Sequence, residues 1–126
     1  MKKIKNIFIY TLMIIKKKEI KNTSLYIDDS VSKISIIIDY QIKSFSGLFY
    51  NCEYIESIKF KKFYRNNITD LSSMFWGCSS LKELNLNNFN TNNVIDMSSM
   101  FYGCLDELKL KIRSQFKIFK EEAFKN

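Results

Sequence analysis

Apolar positions recur along this chain with a period of 26 residues, marked by Cys52, Cys78 and Cys104. Ile55 and Leu81, Ile58 and Leu84, Phe60 and Leu86, and Phe63 and Phe89 hold matching places after the first two cysteines. Ile68 and Val94, Leu71 and Met97, Met74 and Met100, and Phe75 and Phe101 follow in the same register, and Ile42, Phe45, Leu48 and Phe49 begin an earlier copy. A fixed period of this length is the mark of a stacked repeat, because one unit cannot bury its apolar face alone. Within a unit the pattern changes character. Leu81-Lys-Glu-Leu-Asn-Leu86 alternates inward and outward positions, which predicts a strand. Val94-Ile-Asp-Met-Ser-Ser-Met-Phe101 moves to spacings of three and four, which predicts a short helix. Asn67 with Asp70, and Asn93 with Asp96, suit the start of that helix. Gly77, Gly103 and Asn51 suit a left-handed stop at its end. The expected fold is α/β: a leucine-rich-repeat-like solenoid with a short parallel sheet on one face and short helices on the other.

Both ends depart from the repeat. Residues 1–41 form a basic and apolar segment, residues 42–104 the repeats, and residues 105–126 a C-terminal element. In the first part, Lys2, Lys3 and Lys5 precede the apolar run Ile7–Ile15, and Lys16, Lys17 and Lys18 follow it. Three readings stay open for this segment: a strand or helix that caps the stack, a degenerate or uncleaved export signal, and an anchor on a membrane surface. The run is too short to span a bilayer as a helix, which needs about 20 apolar residues. Ser24–Ile27 and Ser32–Ile42 are rich in β-branched residues and predict strands around a turn at Asp28-Asp29-Ser30, completing an N-terminal β cap. At the other end Leu105, Leu108, Ile112, Phe116, Phe119 and Ala123 make one helical stripe, so Leu105–Phe124 is expected to be a capping helix.

The net charge of +7 changes the picture little once it is mapped. Residues 1–22 carry +6, residues 23–104 carry −1 and the remainder +2. A nucleic-acid surface needs its positive charge where the phosphates lie, and the repeat body is neutral, so no nucleic-acid partner is expected. The chain has no histidine and three glycines, which leaves no Ser/His/Asp or Cys/His system and no phosphate-binding loop. No enzyme is expected, with no catalytic residue, cofactor or metal. The three cysteines are isolated rather than paired as a zinc site requires, and their repeated register suggests buried thiols acting as small hydrophobes. Asn22-Thr-Ser24 and Asn67-Ile-Thr69 match the N-glycosylation pattern, which bears on the protein only in a eukaryotic secretory route.

The phrase Asn93-Val-Ile-Asp-Met-Ser-Ser-Met-Phe-Tyr-Gly-Cys104, preceded by Leu81-Lys-Glu-Leu-Asn-Leu-Asn-Asn-Phe-Asn-Thr91, resembles the 26-residue repeat of bacterial surface proteins. That repeat also occurs in BspA-like leucine-rich repeat proteins and in Mycoplasma-type lipoproteins. The resemblance covers about residues 42–104. It implies a cell-surface or secreted array of adhesion type that binds a protein or a glycan. The outward positions of the predicted strands are then the candidate binding face: Glu56, Ser57, Lys59 and Lys61 in one copy, Lys82, Glu83, Asn85 and Asn87 in the next. Their chemistry differs between copies while the inward positions stay apolar. The alternatives are a structural or remnant repeat protein without its own ligand, which would self-associate edge to edge, and an intracellular interaction adaptor in the cytoplasm.

Overall fold

The computed structural model describes residues 6–12, 33–39, 41–61, 65–87 and 89–126. Its strands are β1 (Asn6–Leu12), β2 (Lys33–Asp39), β3 (Ser57–Lys61) and β4 (Glu83–Asn85), followed by the helix α1 (Asp106–Gln115) and one turn of 3-10 helix at Glu121–Phe124. The strands form one parallel sheet in the order β2-β1-β3-β4. Ile58 stands beside Leu84 across β3 and β4, which keeps the 26-residue register. Beyond β3 that register ends. Ile58 faces Ile7 of β1, and β1 in turn faces Ile34 of β2. The strand nearest in sequence to the repeats is therefore displaced outward by β1, which lies against the first repeat strand. The expected strand at Ser24–Ile27, the turn at Asp28-Asp29-Ser30 and Phe63 lie outside the described residues.

Across from the sheet, three turn segments lie one above another. Phe45, Gly47, Phe49 and Asn51 donate their N–H groups to the carbonyls of Asp70, Ser72, Met74 and Trp76. Leu71, Ser73, Phe75 and Gly77 repeat the pattern onto Asp96, Ser98, Met100 and Tyr102. The intervening N–H groups, such as those of Leu48, Tyr50 and Cys52, close local four-residue turns on the carbonyls of Phe45, Gly47 and Phe49. Half of the donors thus point along the stack, where an α-helix would point all of them back along itself.

The short helices expected from the spacing are therefore chains of β-turns. Positive φ angles at Ser73 (53°) and Ser99 (54°) interrupt any helix in mid-segment, with Gly47 (62°) in the same place of the first copy. Asp70 and Asp96 accept the N–H and the hydroxyl of Ser72 and Ser98 at 2.7–2.9 Å, as Asx turns rather than helix starts. Asn51, Gly77 and Gly103 are left-handed, as the sequence suggests. Close approach adds a second demand for a missing side chain: a Cβ on Gly103 would stand 3.2 Å from the Cα of Gly77.

Between sheet and turns runs one apolar core. Phe49, Phe75 and Phe101 stack in it, with centroids 5.7 Å apart at each step. The C-terminal element closes the stack differently from the single helix expected over Leu105–Phe124. Helix α1 ends at Gln115, having buried Leu108 and Ile112. The chain then turns back and the carbonyls of Glu122 and Ala123 accept the N–H groups of Ser99 and Phe101. Phe124 stacks on Phe101 at 5.2 Å, a fourth ring in the column. Arg113 lies 4.3 Å over the Phe124 ring and pairs with Glu121 at 3.3 Å, fastening this substitute rung to α1. The cap imitates the next repeat because the last turn still carries donors that need acceptors.

Candidate functional site

The repeated columns on the turn side are occupied with one another. Tyr50, Trp76 and Tyr102 stack at 4.7 and 5.6 Å, so much of their ring faces is spent on neighbouring rings. Ser44 donates to Asp70, and the hydroxyls of Ser46 and Ser72 meet at 2.9 Å. Cys78 and Cys104 are buried and donate their thiols to the carbonyls of Phe49 and Phe75, each at 3.1 Å. Burial pushes the Cys104 thiol up to about 12 and raises those of Cys78 and Cys52 as well. Neutral thiols of this kind are neither nucleophiles nor metal ligands. All three cysteines are free, and among the described residues no group of His, Cys, Asp or Glu is arranged to hold a metal ion.

The sheet side is different. Of the predicted face, Lys82, Glu83, Asn85 and Asn87 are exposed, and Glu56 and Lys59 are half-buried. Glu56 and Lys82 form an ion pair of 3.4 Å across the two copies. Asn85 accepts the N–H of Asn87 at 3.0 Å, which fixes the carbonyl end of its amide. Ser57 is a correction to the expected face. It is 4% exposed, and its hydroxyl finds no hydrogen-bond partner, so it cannot meet a ligand. The strand alternation points it outward, but neighbouring groups cover a side chain this short. The side chain of Lys61 lies outside the described residues.

Four of the predicted residues, Lys59, Glu83, Asn85 and Asn87, line one groove of about 440 Å³. Its far wall is Lys111, Gln115 and Phe116, at the end of α1, with Ile58 and Leu84 at its base. Repeat periodicity could not supply those wall residues, since they fall after the last cysteine. The available signal for Lys111 and Gln115 was the polar face opposite the stripe of Leu108 and Ile112, whereas Phe116 belongs to that stripe. A second groove, along Lys43, Thr69 and Ile95, runs over the turns. Ile95 is 81% exposed there, beside the half-buried Val94 and otherwise polar residues.

No helix among the described residues is long and apolar enough to cross a membrane. Neither the curated proteins nor the solved structures contain a match to this chain. A family model does match, over residues 41–120, from the first turn segment through α1. The chain belongs to the repeat family described as "Mycoplasma protein of unknown function, DUF285".

Proposed function

We propose that this protein is a non-enzymatic, cell-surface or secreted binding module of adhesion type, built as a short leucine-rich-repeat-like solenoid. Its ligand is a protein or a glycan, and its contact surface is the sheet side bearing Lys59, Lys82, Glu83, Asn85 and Asn87. The observation that carries this reading is the contrast between columns. On the turn side the same residue types recur and contact each other, whereas at the sheet surface Lys59 is matched by Asn85. Positions whose residue type changes between copies can specialise, and Lys59 and Asn85 lie beside a polar groove. The resemblance to BspA-like repeats supports the surface assignment.

Two results test it. Protease shaving of intact source cells should release peptides of this chain; their release only after lysis would remove the surface location. On a panel of purified matrix proteins and glycans, the Lys59→Ala/Lys82→Ala variant should fold normally and lose binding. Undiminished binding by that variant would reject this face.

A further inference from the structure

The sheet stops at β4 among the described residues, although the repeat does not stop there in sequence. One period after Glu83–Asn85 come Lys109, Leu110 and Lys111, and these lie in α1 rather than in a fifth strand. The N–H of Glu83 donates to the carbonyl of Glu56 on the β3 side. Successive residues of a strand direct their peptide groups to opposite sides, so the N–H and C=O of Leu84 point away from β3, toward the groove. Parallel pairing of β3 and β4 is thus complete, and one further row of backbone groups faces outward.

Size and charge restrict what can occupy that edge. Three residues of strand, at a rise of 3.4 Å, a strand spacing of 4.8 Å and a sheet thickness of ~10 Å, fill roughly 500 Å³. The groove holds about 440 Å³. Lys111 stands exposed at the groove, which Lys59 and Glu83 also line, while Leu84 and the half-buried Phe116 offer apolar surface.

Resting on the binding reading above, we infer that the groove between β4 and α1 takes an extended peptide segment of alternating acidic and apolar residues, added to the sheet as a short fifth strand. Backbone pairing with Leu84 supplies affinity, and the alternation lets acidic side chains meet Lys111 while apolar ones meet Phe116. The partner is therefore a protein with an accessible extended segment.

Fluorescence anisotropy on the full chain tests this, with a labelled peptide of alternating Glu and Val as probe. Two controls share its length: the same peptide N-methylated at alternate residues, which cannot pair, and a Lys–Val peptide. The expected result is saturable binding of the Glu–Val probe, weakened at least tenfold by N-methylation, by Lys for Glu, and by Lys111→Glu in a chain with unchanged circular dichroism. Equal binding of the N-methylated peptide, or no peptide binding, overturns the inference. So does binding of oligogalacturonate in its place, or concentration-dependent dimerisation that excludes the probe. In those cases retained binding on the matrix and glycan panel, still sensitive to Lys59→Ala/Lys82→Ala, would leave the broader reading standing.

Discussion

The turn side and the sheet side of this protein are built from the same 26-residue period, yet they use it in opposite ways. On the turn side the backbone ladder is joined by side chains that repeat and touch: Phe on Phe, Tyr on Trp on Tyr, thiol onto the carbonyl of the preceding copy. At the sheet the period is carried by the backbone ladder and the inward residues, and the outward side chains change from copy to copy. A column of identical side chains holds the copies in register. A column of different ones presents a surface whose chemistry changes from copy to copy.

The comparison breaks most sharply at the Phe column. Phe75 is fully buried between Phe49 and Phe101, so Phe75→Ala should cost about 3–5 kcal/mol in urea unfolding. A loss under about 1 kcal/mol, against the usual cost of emptying such a site, would mean that the rings do not stack as described. Two glycines separate backbone conformation from close approach. Gly103→Ala carries both a positive φ and a Cβ 3.2 Å from Gly77, and should cost about 1–3 kcal/mol. Gly47→Ala shares the positive φ but would meet only the Cβ of Tyr50 at 3.6 Å, so it should cost less. Equal losses would show that the stacking contact at Gly103 is unimportant.

The thiol column predicts an alkaline limit. Cys78 and Cys104 titrate above their ordinary value of 9.0 when folded, so the folded state favours the neutral thiol. Their contribution is complete below pH 9 and is lost as pH rises from there toward the folded value, by at most about 1.4 kcal/mol per thiol for the first pH unit. Thermal melts between pH 8 and 10 should show this decline, reduced in Cys78→Ala/Cys104→Ala. An identical decline in that variant would assign it to other groups. Smallest is Ser57→Ala. Removing a buried hydroxyl with no partner should leave stability unchanged or raise it by up to about 1 kcal/mol. A clear loss would give Ser57 a partner and return it to the polar face.

Much of the core was legible in the sequence because burial repeats. Met74, Phe75, Met100 and Phe101 are all buried, as the column of apolar positions suggested. Secondary structure on the turn side was not legible. Successive β-turns place apolar residues three and four apart as a helix does, and only the left-handed serines distinguish them. Serine is not a residue that announces a positive φ. The C-terminal stripe misled in the same manner: Phe116, Phe119 and Ala123 continue the helical spacing of Leu108 and Ile112, but α1 ends because Ser99 and Phe101 need acceptors. Placement of β1 between β2 and β3 also had no local signal, since parallel pairing brings together strands distant in sequence. For the candidate face, alternation identified the exposed residues of β4 but could not see that Ser57 is covered, nor that α1 adds Lys111, Gln115 and Phe116 to the groove.

The most direct test sets one side against the other. Two variants of equal folding stability, Lys82→Glu/Asn85→Arg on the sheet and Ile95→Lys on the turns, can be compared with the parent chain on the same panel of matrix proteins and glycans by biolayer interferometry. The account predicts at least tenfold weaker binding for the sheet variant and unchanged binding for the turn variant. Weakening by Ile95→Lys with the sheet variant unaffected would place the contact surface on the turns and contradict the division of labour proposed here.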